Sequence, residues 1–187
     1  TRIIASPARP FADAPLPYRP EDAPLLDHRY LYYESSRGCR FECAYCLSSL
    51  YGRRCDEKPA GLVMQEIDAL MKFKPEIIKF VDRSFNGTPD RARAIWRALA
   101  AMDTGVRFHF EVHPALLEAG DLELLRTVPA DRFQFEVGLQ SFHEPALRAV
   151  SRAPRTRPRR QPHPRRADPR PPHRHSTSAG SQVYLPL

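Results

Sequence analysis

The sequence lacks the long hydrophobic segment that a membrane-spanning helix requires. No apolar run approaches the roughly 20 residues needed to cross a bilayer, and the first nine residues do not lead into the apolar core of a signal peptide. Cysteine is also scarce, with 4 in 187 residues, and three of them crowd into one short stretch. That pattern argues against a secreted disulfide scaffold, so we expect a protein of the reducing cytoplasm.

Glycine is scarce as well, with 8 residues against 20 prolines, and the prolines cluster towards the two ends of the chain. Residues 1–28 are predicted to be a Pro-rich, extended lead-in, and residues 29–152 to be the folded domain. The net charge of +7 comes from the C-terminal tail, where nearly all charged side chains are arginines. The basic charge therefore says nothing about the partners of the folded part.

The predicted tail, residues 153–187, has no apolar periodicity, and residues 155–175 are almost entirely Arg, Pro and His. One interpretation is a disordered tail that touches nucleic acid. The other, favoured by the abrupt change of composition, is out-of-frame translation of a GC-rich gene. Because the sequence also begins with Thr1 instead of Met, we expect a fragment or a processed product.

The folded part predicts strands that alternate with helices. Alternating or β-rich apolar residues predict strands at residues 29–34, 77–81, 106–112 and 133–139. Helical periodicity follows each strand: from Leu62 to Pro75, from Pro89 to Met102, over 116–127 with an interruption near Gly120, and over 145–150. The hydroxyl of Thr88 is predicted to cap the second of these helices. Short strands separated by helices predict an α/β fold with a parallel sheet.

Polar residues follow the predicted strands at the end where parallel-sheet enzymes carry their reactive groups. The cysteines come after the first strand, Asp82 after the second, and Glu111 near the end of the third. Gln140 and Ser141 come after the fourth strand. We therefore expect these groups to converge.

Three cysteines form a C-x3-C-x2-C motif at Cys39, Cys43 and Cys46. Thiolates hold iron–sulfur clusters, and three from one tight loop can ligate three corners of an iron–sulfur cube, leaving the fourth iron open to a ligand. Alternatively, Cys55 could complete a four-thiolate zinc site, although a single cysteine so far along the chain makes a poor second knuckle. A disulfide between such close cysteines, or burial of the cysteines in a core, is a third alternative.

At these residues the sequence resembles the radical S-adenosylmethionine (SAM) superfamily, in which an aromatic residue, here Tyr45, precedes the third cysteine of the motif. Four further strings resemble the branch whose members carry a cobalamin-binding domain ahead of the radical SAM domain. These strings are YYESSRGC, CLSS, KFVDRSFN and FQFEVGLQS. The resemblance runs from about Arg29 to Arg152.

The resemblance implies a partial (β/α)6 TIM-like radical SAM barrel, truncated here after about four β/α units. In this superfamily a 4Fe–4S cluster reductively cleaves SAM to a 5′-deoxyadenosyl radical that abstracts hydrogen from the substrate. The implied cofactors are the 4Fe–4S cluster and S-adenosylmethionine, while cobalamin would come from an upstream domain outside this chain. The implied partners are a small-molecule or unknown substrate and an external electron donor of flavodoxin or ferredoxin type. Neither a membrane nor nucleic acid is expected.

The resemblance also implies cofactor-binding residues. Tyr45 would lie against the adenine of SAM, and Asp82 would lie near the SAM amino group. Glu111, Gln140 and Ser141 would be further candidates for SAM contacts. Each has an ordinary alternative: Asp82 could cap the following turn, Glu111 could be a solvated charge, and the Gln140–Ser141 pair could satisfy loop backbone.

The remaining expectations concern packing and the class of function. His109 and His113 are predicted to be packing or surface residues, and Phe108, Phe110, Phe133 and Phe135 to be core. A barrel cut after its fourth strand would leave an unpaired edge, so we expect the isolated chain to be poorly soluble or inactive. The alternative function, from a different class, is a zinc-stabilised nucleic-acid-binding protein that uses the basic tail.

Overall fold

The computed structural model describes residues 10–51, 54–152 and 182–186 of the chain. The strands of this part are β1 (Tyr30–Tyr33), β2 (Ser36–Gly38), β3 (Cys55–Glu57), β4 (Ile77–Phe80), β5 (Arg107–Val112), β6 (Phe133–Gly138) and β7 (Gln182–Pro186). The α-helices are α1 (Ala23–Leu26), α2 (Ala60–Met71), α3 (Pro89–Ala100), α4 (Ala119–Arg126) and α5 (Glu144–Ala149). Within these ranges no helix has the length and apolar character to cross a membrane.

The main sheet has the strand order β1–β4–β5–β6–β7, and its first four strands are parallel. Helices α2, α3 and α4 connect these parallel strands in turn. The prediction of an α/β fold with four parallel strands separated by helices is therefore confirmed. The carboxyl ends of the four strands lie along one edge of the sheet, and that edge carries the candidate site.

The core lies between the sheet and helices α2 and α3. Val63, Ile67 and Leu70, whose spacing predicted α2, are fully buried, and so is Trp96 of α3 apart from 1% of its surface. The four phenylalanines predicted to be core are all buried: Phe108, Phe110, Phe133 and Phe135. Burial of side chains of this size contributes roughly 1.5–3 kcal/mol each, so this layer fixes the strands that position the site.

The predicted start of α3 is confirmed, because Thr88 occupies the N-cap position, Pro89 begins the helix and Asp90 lies in its first turn. Only the expected capping bond is absent, since the Thr88 hydroxyl bonds the carboxylate of Glu57 at 2.7 and 2.9 Å instead.

The predicted start of α4 is wrong. The break before α4 lies at Leu117 and Glu118, which are extended, whereas Gly120 lies inside the first turn. A capping box explains this start, since Glu118 and Asp121 exchange bonds between side chain and backbone.

The lead-in is not simply an extended linker, because residues 10–28 contain short helical turns and pack on the domain. Phe11 is 93% buried, and its ring lies beneath the cationic groups of Arg37 and Lys58. The Tyr18 hydroxyl donates to the carbonyl of Tyr32 at 3.0 Å and accepts from its N–H at 2.7 Å. Tyr18 thus attaches the segment to the edge strand β1, and Phe11 attaches it to the hairpin β2–β3 and the residue that follows it.

The C-terminal prediction also needs correction. Residues 182–186 form β7, which pairs antiparallel with β6, so disorder is the wrong description there and the edge of β6 is not left open. This segment reads QVYLP, which is rich in strand-forming residues, and an open edge offers it unpaired backbone N–H and C=O groups. The rest of the predicted tail, residues 153–181, lies outside the described residues.

Candidate functional site

A cavity of about 290 Å³ lies at the carboxyl ends of β5 and β6, beneath the cysteine loop. It brings together six of the eight predicted site residues. These are Cys39, Cys43, Cys46, Tyr45, Glu111 and Gln140. The other two, Asp82 and Ser141, do not line it.

The cysteine loop folds as a series of tight turns that turn the thiols towards this cavity. The N–H of Cys46 donates to the carbonyl of Cys43 at 3.0 Å, and Ser49 donates to the carbonyl of Cys46 from both its N–H and its hydroxyl. Cys43 is buried, whereas Cys39 and Cys46 are partly exposed, and all three thiols are free. The loop therefore supplies three unpaired thiols to one wall of the cavity.

The hairpin β2–β3, which the sequence analysis missed, holds both ends of this loop. Gly38 lies directly opposite Cys55 in the antiparallel pair. Arg40, just inside the loop, donates to the hydroxyl of Thr88 at 2.6 Å and to the carboxylate of Glu57 at 3.3 Å. These bonds attach the loop to β3 and to the start of α3.

Asp82 anchors the segment before the cysteines instead of facing the cavity. It is fully buried and accepts bonds from the N–H of Ser35 at 3.2 Å and from its hydroxyl at 2.8 Å. Arg91 donates to the same serine at its carbonyl and hydroxyl oxygens. Burial raises the pKa of Asp82, although the hydrogen bonds from Ser35 and Ser36 oppose this effect. The structure thus places this carboxylate inside the fold and not on the cavity wall.

His113 forms part of the cavity wall and supports the loop. Its ring stacks on Phe41 at a centroid distance of 4.1 Å, and its backbone exchanges two hydrogen bonds with the side chain of Asn86. Burial, assisted by the charge of Arg152, lowers the pKa of His113 to about 4, so the imidazole is neutral at pH 7. The predicted packing role is confirmed, and the place of this residue in the cavity wall was missed.

Two carboxylates lie side by side in the cavity, since Glu111 of β5 is in register with Glu136 of β6. Burial, reinforced by the charge of Glu136, raises the pKa of Glu111. Lys79 Nζ and His109 Nε2 approach the Glu136 carboxylate at 3.4 and 3.5 Å. Sequence reasoning missed Glu136, although an acidic residue near the end of each of two successive predicted strands was the signal that could have found it.

The loop after β6 divides the predicted Gln140–Ser141 pair. Gln140 lines the cavity, whereas the hydroxyl of Ser141 accepts a bond from the N–H of His143 at 3.0 Å, at the start of α5. Ser141 thus satisfies loop backbone, which was the alternative interpretation. Arg152, which was not predicted, donates to the carbonyl of Gly138 at 2.7 Å and lies 3.9 Å from Cys43 Sγ.

The donor set fits an iron–sulfur cube better than a single ion. No three or more His, Cys, Asp or Glu side chains in the described ranges are grouped so that they could hold one metal ion. A four-iron cube instead binds each thiolate through a different iron, so three thiols from one loop at one cavity suit it. Cys55 does not line the cavity with the other three thiols, although it lies close enough to Cys39 to interact with it electrostatically.

Comparison with known protein families gives a match that covers most of this chain. A family model described as the radical SAM superfamily matches residues 33–161. No curated protein matches the chain.

Solved structures of two enzymes resemble this chain in fold. The radical SAM methyltransferase TsrM from Kitasatospora setae is 17% identical, with a TM-score of 0.54 over 64% of this chain and 23% of that one. The cobalamin-dependent SAM radical enzyme OxsB is 22% identical, with a TM-score of 0.51 over 66% of this chain and 20% of that one. The chain thus spans less than a quarter of either enzyme.

Proposed function

This chain belongs to the radical SAM superfamily, and on that premise we propose that Cys39, Cys43 and Cys46 hold a 4Fe–4S cluster that binds SAM. The observation that carries the proposal is the convergence of these three free thiols on one cavity at the carboxyl ends of parallel strands. When bound, the cluster supplies the electron that splits SAM into methionine and a 5′-deoxyadenosyl radical, which takes hydrogen from the substrate.

The residues around the cavity have the chemistry to bind and orient SAM. We propose that Tyr45, whose side chain is half-exposed beside two of the cysteines, contacts the adenine. Glu111 and Gln140 offer a carboxylate and an amide to the polar groups of SAM. Phe41 and Val112 give the cavity apolar walls that exclude water around a reactive radical.

We further propose that the domain works in a longer protein with cobalamin-linked methyl transfer or rearrangement as its reaction. The support is the shared fold with TsrM and OxsB, whose names specify a methyltransferase and a cobalamin-dependent enzyme. We propose that the substrate is a small molecule and that the electron donor is of flavodoxin or ferredoxin type. The DNA that flanks this coding sequence tests the idea, because it must encode a cobalamin-binding domain in a joinable frame.

Anaerobic reconstitution of the full chain with iron and sulfide tests the cluster proposal. We expect about four irons per chain and a brown protein in the wild type. Each of C39A, C43A and C46A removes one thiolate and should lose most of the bound iron. The matched control is C55A, which removes a thiol outside the cavity and should keep the wild-type iron content. Equal loss of iron in C55A, or stoichiometric zinc in place of iron, would contradict the proposal.

A further inference from the structure

The guanidinium of Arg152 contacts a predicted cluster ligand, Cys43. Its guanidinium Nη1 is 3.9 Å from Cys43 Sγ, and its Nη2 donates to the carbonyl of Gly138 at 2.7 Å. Because an arginine offers its donors in a rigid, planar fork, the bond to Gly138 fixes the direction in which the other nitrogen points. The guanidinium is thus held against the sulfur of Cys43.

Gly138 leaves room for this arrangement. A Cβ built at this position would approach Arg152 Nη2 at 3.0 Å and Gln140 Nε2 at 2.8 Å. Distances of this kind are shorter than side chains tolerate without moving. The glycine at the end of β6 therefore leaves the space that the guanidinium occupies.

The backbone after α5 also contacts the cysteine loop. The N–H of Ala44, directly after Cys43, donates to the carbonyl of Val150 at 2.9 Å. Ser151 has a φ of 57°, a left-handed conformation that reverses the chain after the helix, and the N–H of Arg152 returns to the carbonyl of Leu147 at 2.8 Å. One turn thus holds Cys43 through its neighbour's backbone and through the Arg152 side chain.

We propose that Arg152 is a positioning residue that holds the Cys43 thiolate in place and raises the reduction potential of the cluster bound through it. This inference rests on the proposed function, because it needs the cluster. Reduction adds one electron and no proton, so the reduced form carries one more negative charge. A fixed cation at Cys43, on the wall of a partly buried cavity, stabilises that form more than the oxidised one.

A redox titration of the reconstituted full chain, followed by EPR, measures this effect. At a fixed potential, R152Q should have a roughly tenfold lower ratio of reduced to oxidised cluster than the wild type. For a one-electron couple this corresponds to a reduction potential about 59 mV lower. R152K keeps the charge and should restore most of the potential. G138A should displace the guanidinium and shift the potential in the same direction as R152Q. The matched control is R148Q, because Arg148 pairs with Glu144 on the exposed face of α5, and it should titrate like the wild type.

The outcomes separate the two proposals. If the wild-type chain takes up no cluster, the proposed function fails and this inference fails with it. If the wild type and R152Q load equally and titrate at the same potential, the role of Arg152 is refuted while the cluster stands. If R152Q loses iron and R148Q does not, the result supports the proposal that Arg152 holds Cys43 in place. The reduction potential of R152K then shows whether Arg152 acts through its charge or through its packing.

Discussion

Asp82 illustrates how the surroundings of a single side chain decide its role. It follows β4 at the edge of the sheet where functional groups gather, yet it is fully buried and binds Ser35. Both of its carboxylate oxygens accept hydrogen bonds inside the fold, as buried polar groups generally do. We therefore assign Asp82 to holding the entry to the cysteine loop, and the same reasoning assigns Ser141 to the start of α5.

His113, which packs against the same loop, makes the stability of the fold depend on pH. Its folded-state pKa is about 4, whereas an unfolded histidine has a pKa near 6.5, so the unfolded chain takes up a proton first as the pH falls. The stabilisation from the neutral imidazole is therefore complete above about pH 6.5. It is lost progressively as the pH falls from there towards 4.

We predict that the pH dependence of stability is weaker in H113Q than in the wild type. Between pH 7 and pH 5 the wild type should lose on the order of 2 kcal/mol through this residue alone, and H113Q should not. Urea unfolding at the two pH values measures the difference. H143Q, which replaces an exposed histidine, should behave like the wild type. Equal pH slopes in H113Q and the wild type would refute this account.

At the scale of elements, the cysteine loop is held from several directions. The hairpin β2–β3 holds its ends, Arg40 attaches it to α3, and Phe41 stacks on His113. The turn after α5 completes the set through Ala44. Because each contact comes from a different element, the geometry of the thiols depends on the whole sheet edge and not on the loop sequence alone.

We predict that G38A is the most damaging glycine substitution in the hairpin. Gly38 has a φ of 101°, which an alanine rarely adopts, and an added Cβ would overlap the carbonyl of Arg54. G38A should lower the free energy of unfolding by about 1–3 kcal/mol and reduce the iron content after reconstitution. The matched control is G61A, because Gly61 lies in α2 with open space around it and should gain about 0.5–1 kcal/mol. Equal stability of the two variants would be evidence against a strained turn at Gly38.

The elements divide into those with a strong sequence signal and those without one. The period of Val63, Ile67 and Leu70 predicted α2, and the apolar strands β4, β5 and β6 were each found to within about two residues. The strands β2 and β3 have three residues each and a long loop between them, so neither period nor turn chemistry marked them. The backbone pairing of β7 depends on an edge that only the folded sheet presents.

At the scale of the whole molecule, the parallel sheet gathers at one edge groups that are distant in sequence. Cys39 and Arg152 both line the cavity although more than a hundred residues separate them. The cysteines were predictable because their spacing itself is informative. Arg152 was not predictable, because it stands at the border of an arginine-rich segment in which no single arginine is distinguished by its sequence context. Its contact with Cys43 arises only from the turn after α5.

The central claim is that three thiolates leave one iron of the cluster open to SAM. The most direct test is the EPR spectrum of the reduced, reconstituted chain recorded with and without SAM. We predict that SAM changes the spectrum of the wild type and of C55A alike, because the open iron acquires a new ligand in both. A cluster whose spectrum is the same with and without SAM, or one that disappears in C55A, would contradict the claim, since either result would indicate a site closed by four protein ligands.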